Sequence, residues 1–338
     1  MGRRTHVALR ADDRSYFAML KKEIHAMAVE AGFSETRVGE TDIIVAELTS
    51  NLAKHAGGGT IWVKAVEEDG VPGIELISVD NGPGMQDVTR MMTDGFSTKN
   101  TLGHGLGAMK RMADVFQVFS QKDWGTVLLV RVFAEPFAAF RRPPKIEVRS
   151  VVLPKPTEEA CGDGFFYKET DDHYQLFLGD GLGHGADAAA AVIKAGEAFE
   201  TCTETDPVSI IRFVNDKVKK TRGLVGTVAS FCKQRRVWQI VGVGNISTKV
   251  YGPSLLKSYM SYNGIIGLNV PNTLNVQEVA YERGQYLVMC SDGLKSRWDT
   301  IKYPGIVRYD LSLLAAALVK DFARYTDDMS VAACKLNL

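Results

Sequence analysis

Gly179-Asp180-Gly181-Leu182-Gly183-His184-Gly185-Ala186-Asp187-Ala188-Ala189 decides how the second half of this 338-residue chain is read. The apolar run Tyr174 to Leu178 leads into it and a run of alanines leads out. That order predicts a strand, a glycine turn and a helix, with Asp180 at the strand end. Three more acidic motifs share the setting: Cys161-Gly162-Asp163-Gly164, Ser291-Asp292-Gly293 and Thr326-Asp327-Asp328-Met329-Ser330. An Asp-Gly pair alone is an ordinary turn. Four aspartates gathered at sheet ends would repel one another unless cations neutralised them. Carboxylate and carbonyl oxygens suit magnesium or manganese, and two such ions ~3.5–4 Å apart can clamp a phosphoryl group.

Outward from this motif the pattern is mostly of strands: Glu147 to Leu153, Gly164 to Glu169, Tyr174 to Leu178, Thr227 to Cys232, Val237 to Val243, Tyr286 to Cys290 and Met329 to Lys335. Helical spacing covers Ala186 to Phe199, Val208 to Val218 and Leu311 to Phe322. Two packed sheets with helices outside are expected. Trp238, Trp298 and the Met91-Met92 pair read as packing residues. Paired arginines and prolines at Arg141-Arg142-Pro143-Pro144 break both helix and strand patterns. A linker over 136–145 is expected, dividing a domain of residues 1–135 from one of 146–338.

In the first part, Asp12 or Asp13 caps a helix running to Gly32, and Ser34 caps a second that ends at Gly57-Gly58-Gly59. Strands are expected at Thr60 to Val66 and Ile74 to Val79, then a helix from Ala108 to Phe116 and a hairpin from Val118 to Phe133. This predicts helices on one face of a mixed sheet. Glu47, Asn51, Lys54 and His55 share a face of the second helix at spacings of three and four. A polar stripe is often only a solvated face. Here it accompanies Asp80-Asn81-Gly82-Pro83-Gly84 at a strand end, Gly95-Phe96-Ser97-Thr98, and Gly103-His104-Gly105-Leu106-Gly107 opening a helix. Glycines let backbone close around phosphate, and a helix N-terminus supplies N–H donors.

In that order and spacing, these motifs resemble the ATP-binding (Bergerat) fold shared by gyrase, Hsp90, histidine kinases and MutL, the GHKL superfamily. Within it, Gly-Phe-Ser-Thr followed by Gly-His-Gly-Leu-Gly-Ala-Met-Lys-Arg-Met-Ala-Asp is similar to the anti-sigma-factor serine kinases of the RsbT type, over roughly residues 5–134. The resemblance implies Mg-ATP or ADP as ligand. Asn51 would hold Mg²⁺, Asp80 would read adenine, and Glu47 would be the general base. Lys54, Gly82, Gly84, Thr98, Gly103, Gly105, Leu106 and Gly107 would complete the nucleotide site. Phosphotransfer and ATP binding without transfer both stay open.

The later acidic motifs resemble the metal-dependent protein phosphatases (PPM, type 2C), closest to the SpoIIE/RsbX branch, over about residues 145–338. The resemblance implies that Asp180 bridges two Mn²⁺ or Mg²⁺ ions, helped by the Gly181 carbonyl. Asp163, Asp292 and Asp327 would be the other carboxylates, and Asp328 would not be a ligand. Cys161 stands where the branch has glycine. Arg149 and Lys155 are poor matches for the arginine that binds substrate phosphate in eukaryotic members. His184 can either donate to phosphate or serve only the helix start.

The expected whole is a two-domain α/β (α+β) chain: a GHKL α/β sandwich followed by a PPM-type β-sandwich flanked by helices. The two resemblances together imply a metal-dependent phosphoserine/phosphothreonine phosphatase with an ATP-binding, kinase-like domain. Its implied partner is a STAS-domain antagonist of an anti-sigma factor, or a stressosome-like protein, in bacterial partner switching. A non-catalytic, ATP-gated binding switch is the alternative. With 40 basic and 40 acidic residues the chain offers no basic field, which argues against nucleic acid or anionic membrane as the main target. Five scattered cysteines without a CxxC pair argue against a zinc site or disulfide framework. The N-terminus lacks a signal-peptide core and the apolar runs are short of ~20 residues, so a cytoplasmic protein is expected.

Overall fold

The computed structural model describes residues 5–88, 105–135, 144–254 and 256–338. By its contacts the chain divides into two compact units, one of residues 1–142 with 305–317, the other of 143–304 with 318–338. Residues 305–317 thus group with the first unit rather than with the strands on either side of them in sequence. The segment read as a linker lies mostly outside the described residues, as do Met91-Met92, Gly95-Phe96-Ser97-Thr98 and Leu102 to His104.

In the first unit, the Asp13 side chain accepts the Ser15 N–H and starts α1 (Arg14–Glu30), and Ser34 accepts the Arg37 N–H and starts α2 (Glu35–Asn51). Each cap satisfies a backbone donor that the first turn leaves unpaired. The end of α2 widens into a π turn over Leu52–Ala56, closed by Gly57 at φ +72°. Lys54 and His55 therefore leave the strict α-helical stripe that the spacing predicts. The strands are β1 (Val7–Arg10), β2 (Thr60–Glu68), β3 (Val71–Asp80), β4 (Val115–Gln121) and β5 (Gly125–Phe133), with α3 (Gly105–Met112) before β4. They form one sheet in the order β1-β2-β3-β5-β4, and every pairing is antiparallel. The expected mixed sheet is corrected, because hairpins join β2 to β3 and β4 to β5 and turn the chain back each time. β1, too short for a clear alternation, escaped the sequence reading. The last helix also begins and ends earlier than expected, since β4 already starts at Val115.

The pleat sends alternate residues to opposite faces. Ile61, Val63, Ile74, Leu76, Val130 and Val132 pack against Ile24, Ile44 and Leu48 of the helices. On the other face Ile77, Val127, Leu129 and Phe133 are fully buried as well.

The second unit has two five-stranded sheets, β13-β10-β9-β8-β7 and β12-β11-β14-β15-β6. In chain order these are β6 (Ile146–Leu153), β7 (Asp163–Glu169), β8 (His173–Gly181), β9 (Leu224–Cys232), β10 (Val237–Val243), β11 (Ser247–Tyr251), β12 (Leu256–Tyr259), β13 (Gln277–Ala280), β14 (Tyr286–Cys290) and β15 (Met329–Leu336). The sheets share a core that includes Leu176, Leu178, Phe231 and Trp238 from one side and Val250, Leu287 and Met289 from the other. Helices α4 (Ala186–Thr201) and α5 (Pro207–Val218) cover the outer face of the first sheet through Val192, Phe199, Ile210 and Val214. α6 (Leu311–Phe322) begins in the first unit and ends in the second. β11 to β13 were not foreseen, because β12 and β13 are short and largely uncovered edge strands. Trp238 and Trp298 are buried, as packing residues should be.

Candidate functional site

Asp163 opens β7 and Asp180 is the last residue but one of β8, and the antiparallel register sets them directly opposite one another. Two carboxylates on adjacent strands are destabilising unless something else occupies the site. Burial pushes Asp180 up first, and the neighbouring charges of Asp163, Asp292, Asp327 and Asp328 push it further. Burial also raises Asp163, against hydrogen bonds from Ser291 and Ser330 that favour its ionised form. Asp292 is raised by burial and by Asp327. The four aspartates read from sequence therefore lie within one electrostatic neighbourhood. Among the described residues, however, no three His, Cys, Asp or Glu side chains close around one point. A magnesium-type site needs only one or two carboxylates, with water and carbonyl oxygens supplying the rest. The donor set fits hard divalent cations of that kind.

Sequence reasoning missed two side chains that hold these carboxylates, Ser291 and Asn245, and a cation near them, Arg222. Ser291 Oγ donates to Asp163 Oδ2 at 2.6 Å and itself accepts the Ser330 N–H at 3.0 Å. Asn245 Nδ2 donates to Asp292 Oδ2 at 2.8 Å. Arg222 Nη1 donates to the Leu182 carbonyl at 3.3 Å, and Nη2 lies 3.5 Å from Asp187. This places a half-exposed cation over the Gly183 turn, two residues past Gly181. Asp328 accepts the Lys155 and Gly162 N–H groups at 2.7 and 2.8 Å, one on each oxygen, and so pins the loop that precedes Asp163. Gly293 is fixed by close approach, since a Cβ there would sit 1.8 Å from the Asp328 carbonyl. Burial, helped by the nearby charges of Asp163 and Asp328, raises the Cys161 thiol far above its ordinary value. His184 Nδ1 meets Glu158 at 2.8 Å beside the start of α4.

In the first unit, one Asp80 oxygen accepts the N–H groups of Gly82 at 2.8 Å and Thr126 at 3.2 Å. The strand end thereby fixes the carboxylate's orientation. Gly105 opens α3 against the end of α2: a Cβ there would lie 2.7 Å from Glu47 Oε2 and 3.9 Å from Asn51 Oδ1. Glu47, Asn51 and the start of the glycine-opened helix are therefore together. Leu106 packs on the core and Gly107 is buried behind it. Gly82 and Gly84 lie in the turn after Asp80, and Lys54 lies on the π turn. Thr98 and Gly103 fall outside the described residues.

The sequence matches two families, Histidine kinase-like ATPase domain over residues 9–132 and Stage II sporulation protein E (SpoIIE) over residues 170–337. Serine/threonine-protein kinase RsbT of Bacillus subtilis (strain 168) is 37% identical over 100 residues, 30% of this chain and 75% of RsbT. The chain belongs to the RsbT family. Behind that RsbT-like domain it carries a SpoIIE-type phosphatase domain of the PPM class. A solved chain from the bacterial stressosome, described as a modular system adapted to control secondary messenger signaling, superposes with a TM-score of 0.54 at 27% identity. It spans 57% of this chain and 100% of its own. RsbX in complex with magnesium superposes at 0.51 with 22% identity over 58% of this chain and 98% of its own, which shows a shared fold. The SpoIIE match begins after Asp163, so the pairing of Asp163 with Asp180 rests on the strand register. No helix among the described residues is long and apolar enough to cross a membrane.

Proposed function

We propose that this RsbT-family chain is a metal-dependent phosphoserine/phosphothreonine phosphatase governed by its own nucleotide-binding domain, with domains at 1–135 and 146–338. Its proposed substrate is a phosphorylated STAS-domain antagonist or a stressosome-like protein in a partner-switching pathway. The observation that carries the reading is the like-charged pair Asp163–Asp180, buried at adjacent strand ends with Asp292 and Asp327 in range. Asp163, Asp180, Asp292 and Asp327, with the Gly181 carbonyl, would hold two Mn²⁺ or Mg²⁺ ions. Such ions, when bound, supply an acidified water and positive charge for a phosphoryl group.

The chain's own residues prepare that site. Ser291 keeps Asp163 oriented and Asn245 keeps Asp292 oriented. Asp328 ties down the loop before Asp163. Arg222 offers a guanidinium fork suited to phosphate oxygens at the rim. In the nucleotide-binding unit, Asn51 would take Mg²⁺, Asp80 the adenine amino group, and Glu47 the proton of a partner's hydroxyl. The unit would then phosphorylate the same class of partner that the phosphatase unit dephosphorylates.

The test is hydrolysis of an aryl phosphate by the full chain with and without manganese, beside Asp180→Asn. Manganese-dependent turnover that vanishes in the variant supports the phosphatase. Turnover that survives in Asp180→Asn defeats it. The second reading is an ATP-gated binding switch without catalysis. Failure of metal-loaded wild type to turn over, together with ATP-dependent partner binding, would select it.

A further inference from the structure

We propose that Arg131 and Asp310 are positioning residues for the phosphatase site, acting through α6; the proposal rests on the phosphatase reading above. Arg131 lies on β5 with its guanidinium almost wholly buried. Its Nη1 and Nη2 grip the Asp310 carboxylate at 2.8 and 3.1 Å. Nη2 also donates to Ser312 Oγ at 2.9 Å, and Nε donates to Glu75 Oε2 at 2.8 Å. Ser312 Oγ donates to the same Glu75 oxygen at 3.1 Å. Glu75 further meets His6 at 3.1 Å and Lys64 at 3.3 Å. Glu68 Oε1 lies 3.7 Å from Arg131 Nη1, so charges of both signs alternate through the set.

What it grips is the start of a helix. Asp310 Oδ1 accepts the Ser312 N–H at 2.9 Å, so Asp310 caps α6 while its carboxylate is held by Arg131. Gln117 Oε1 accepts the Asp310 N–H at 2.7 Å, and Phe119 meets the Tyr309 ring edge-on. From this anchor α6 runs 12 residues, about 18 Å at ~1.5 Å per residue. Leu311 to Val319 are buried without a break, as befits a helix enclosed on all sides.

The far end of α6 is tied to both outer metal-ligand loops. The Lys295 N–H donates to the Phe322 carbonyl, and the Arg324 N–H donates to the Gly293 carbonyl, each at 2.8 Å. Leu294 bridges Ala323 between them. Asp292 immediately precedes this stretch and Asp327 follows it by three residues. A buried ion network contributes little more than a well-packed apolar contact of the same volume. What it adds is a fixed position, here that of a rod whose other end sets two carboxylates. The strands that hold the grip also hold the nucleotide residues: Glu75 faces Arg131 across β3 and β5, and Asp80 faces Thr126 five residues further along. Asp80, which would hold the nucleotide, thus lies on the same strand pair as the grip on α6.

The experiment measures manganese binding to the metal-free full chain by calorimetry, hydrogen exchange over residues 323–330, and manganese-dependent aryl phosphate hydrolysis. Asp310→Asn should weaken manganese binding about tenfold and speed exchange in that segment, with the aryl phosphate KM unchanged. Ser312→Ala, a milder change, should weaken it about threefold, and Arg131→Lys should fall between. A merely structural network would lower the melting temperature and leave the manganese affinity of the folded chain untouched. Wild-type affinity and exchange in folded Asp310→Asn and Ser312→Ala would overturn the proposal while leaving the phosphatase reading intact. If Asp310→Asn does not fold, Ser312→Ala decides alone. A wild-type chain with neither manganese binding nor turnover would instead bring down the phosphatase reading, and this proposal with it.

Discussion

Two buried charge clusters, one in each unit, respond to burial in opposite ways. Around Arg131 the signs alternate: burial alone would raise Glu75, yet Lys64, Arg131 and His6 hold it well below the ordinary carboxylate range. Burial likewise opposes the charge on Arg131, and Asp310 and Glu75 restore it. Around Asp180 the signs agree, and both burial and neighbours push the carboxyl up. The first cluster carries its own counter-charges. The second has no such counter-charges among its aspartates, and cations would supply them under the phosphatase reading.

The comparison is tested most severely at Asp180. Asp180→Asn should reduce manganese-dependent hydrolysis to background, while the metal-free protein melts about 2–4 °C higher because folding no longer has to protonate a buried carboxylate. A lower melting point without metal would show that the cluster is not strained. Arg131→Ala should lower stability and weaken manganese binding together. Removing the cation that Glu75 and Asp310 share breaks a buried ion set, at a cost of about 3–5 kcal/mol in denaturant unfolding. Asn245→Ala leaves every carboxylate in place but frees Asp292 to turn, so manganese affinity should fall about 10–100-fold by titration.

Acid should separate the two units more gently. Glu75 ionises below its unfolded value of about 4.3, so its stabilisation is complete above that pH and is lost as pH falls through its native value. Asp180 ionises above its unfolded value of about 3.9, so metal-free stability in its unit declines as pH rises from there toward the raised native value. Hydrogen exchange resolved by unit, without metal, should show these opposed slopes, and manganese should flatten the second. Smallest of all, Asp13→Ala removes the α1 cap and should cost about 1 kcal/mol, with no effect on hydrolysis.

Much of the candidate site is legible in the chain's local patterns. Asp163, Asp180, Asp292 and Asp327 each stand beside glycine or another aspartate at a strand end, a local signal that survives whatever the fold does with it. Glu47 and Asn51 are legible for the same reason, being one helical turn apart. Lys54 was misplaced on its stripe because a π turn leaves no sequence signature distinct from an α turn. The antiparallel first sheet was missed because strand composition does not encode pairing direction.

The sequence by itself determined the two families, the residue types of both sites and most strand and helix positions, since these depend on periodicity, turns and caps within a few residues. Only the tertiary structure decided that Ser291 and Asn245 orient the aspartates, that Asp163 faces Asp180, and that Arg131 grips the start of α6. Those contacts join residues 17 to 179 positions apart. They depend on strand register, where a shift of one residue turns every side chain to the opposite face, and no local pattern records that choice.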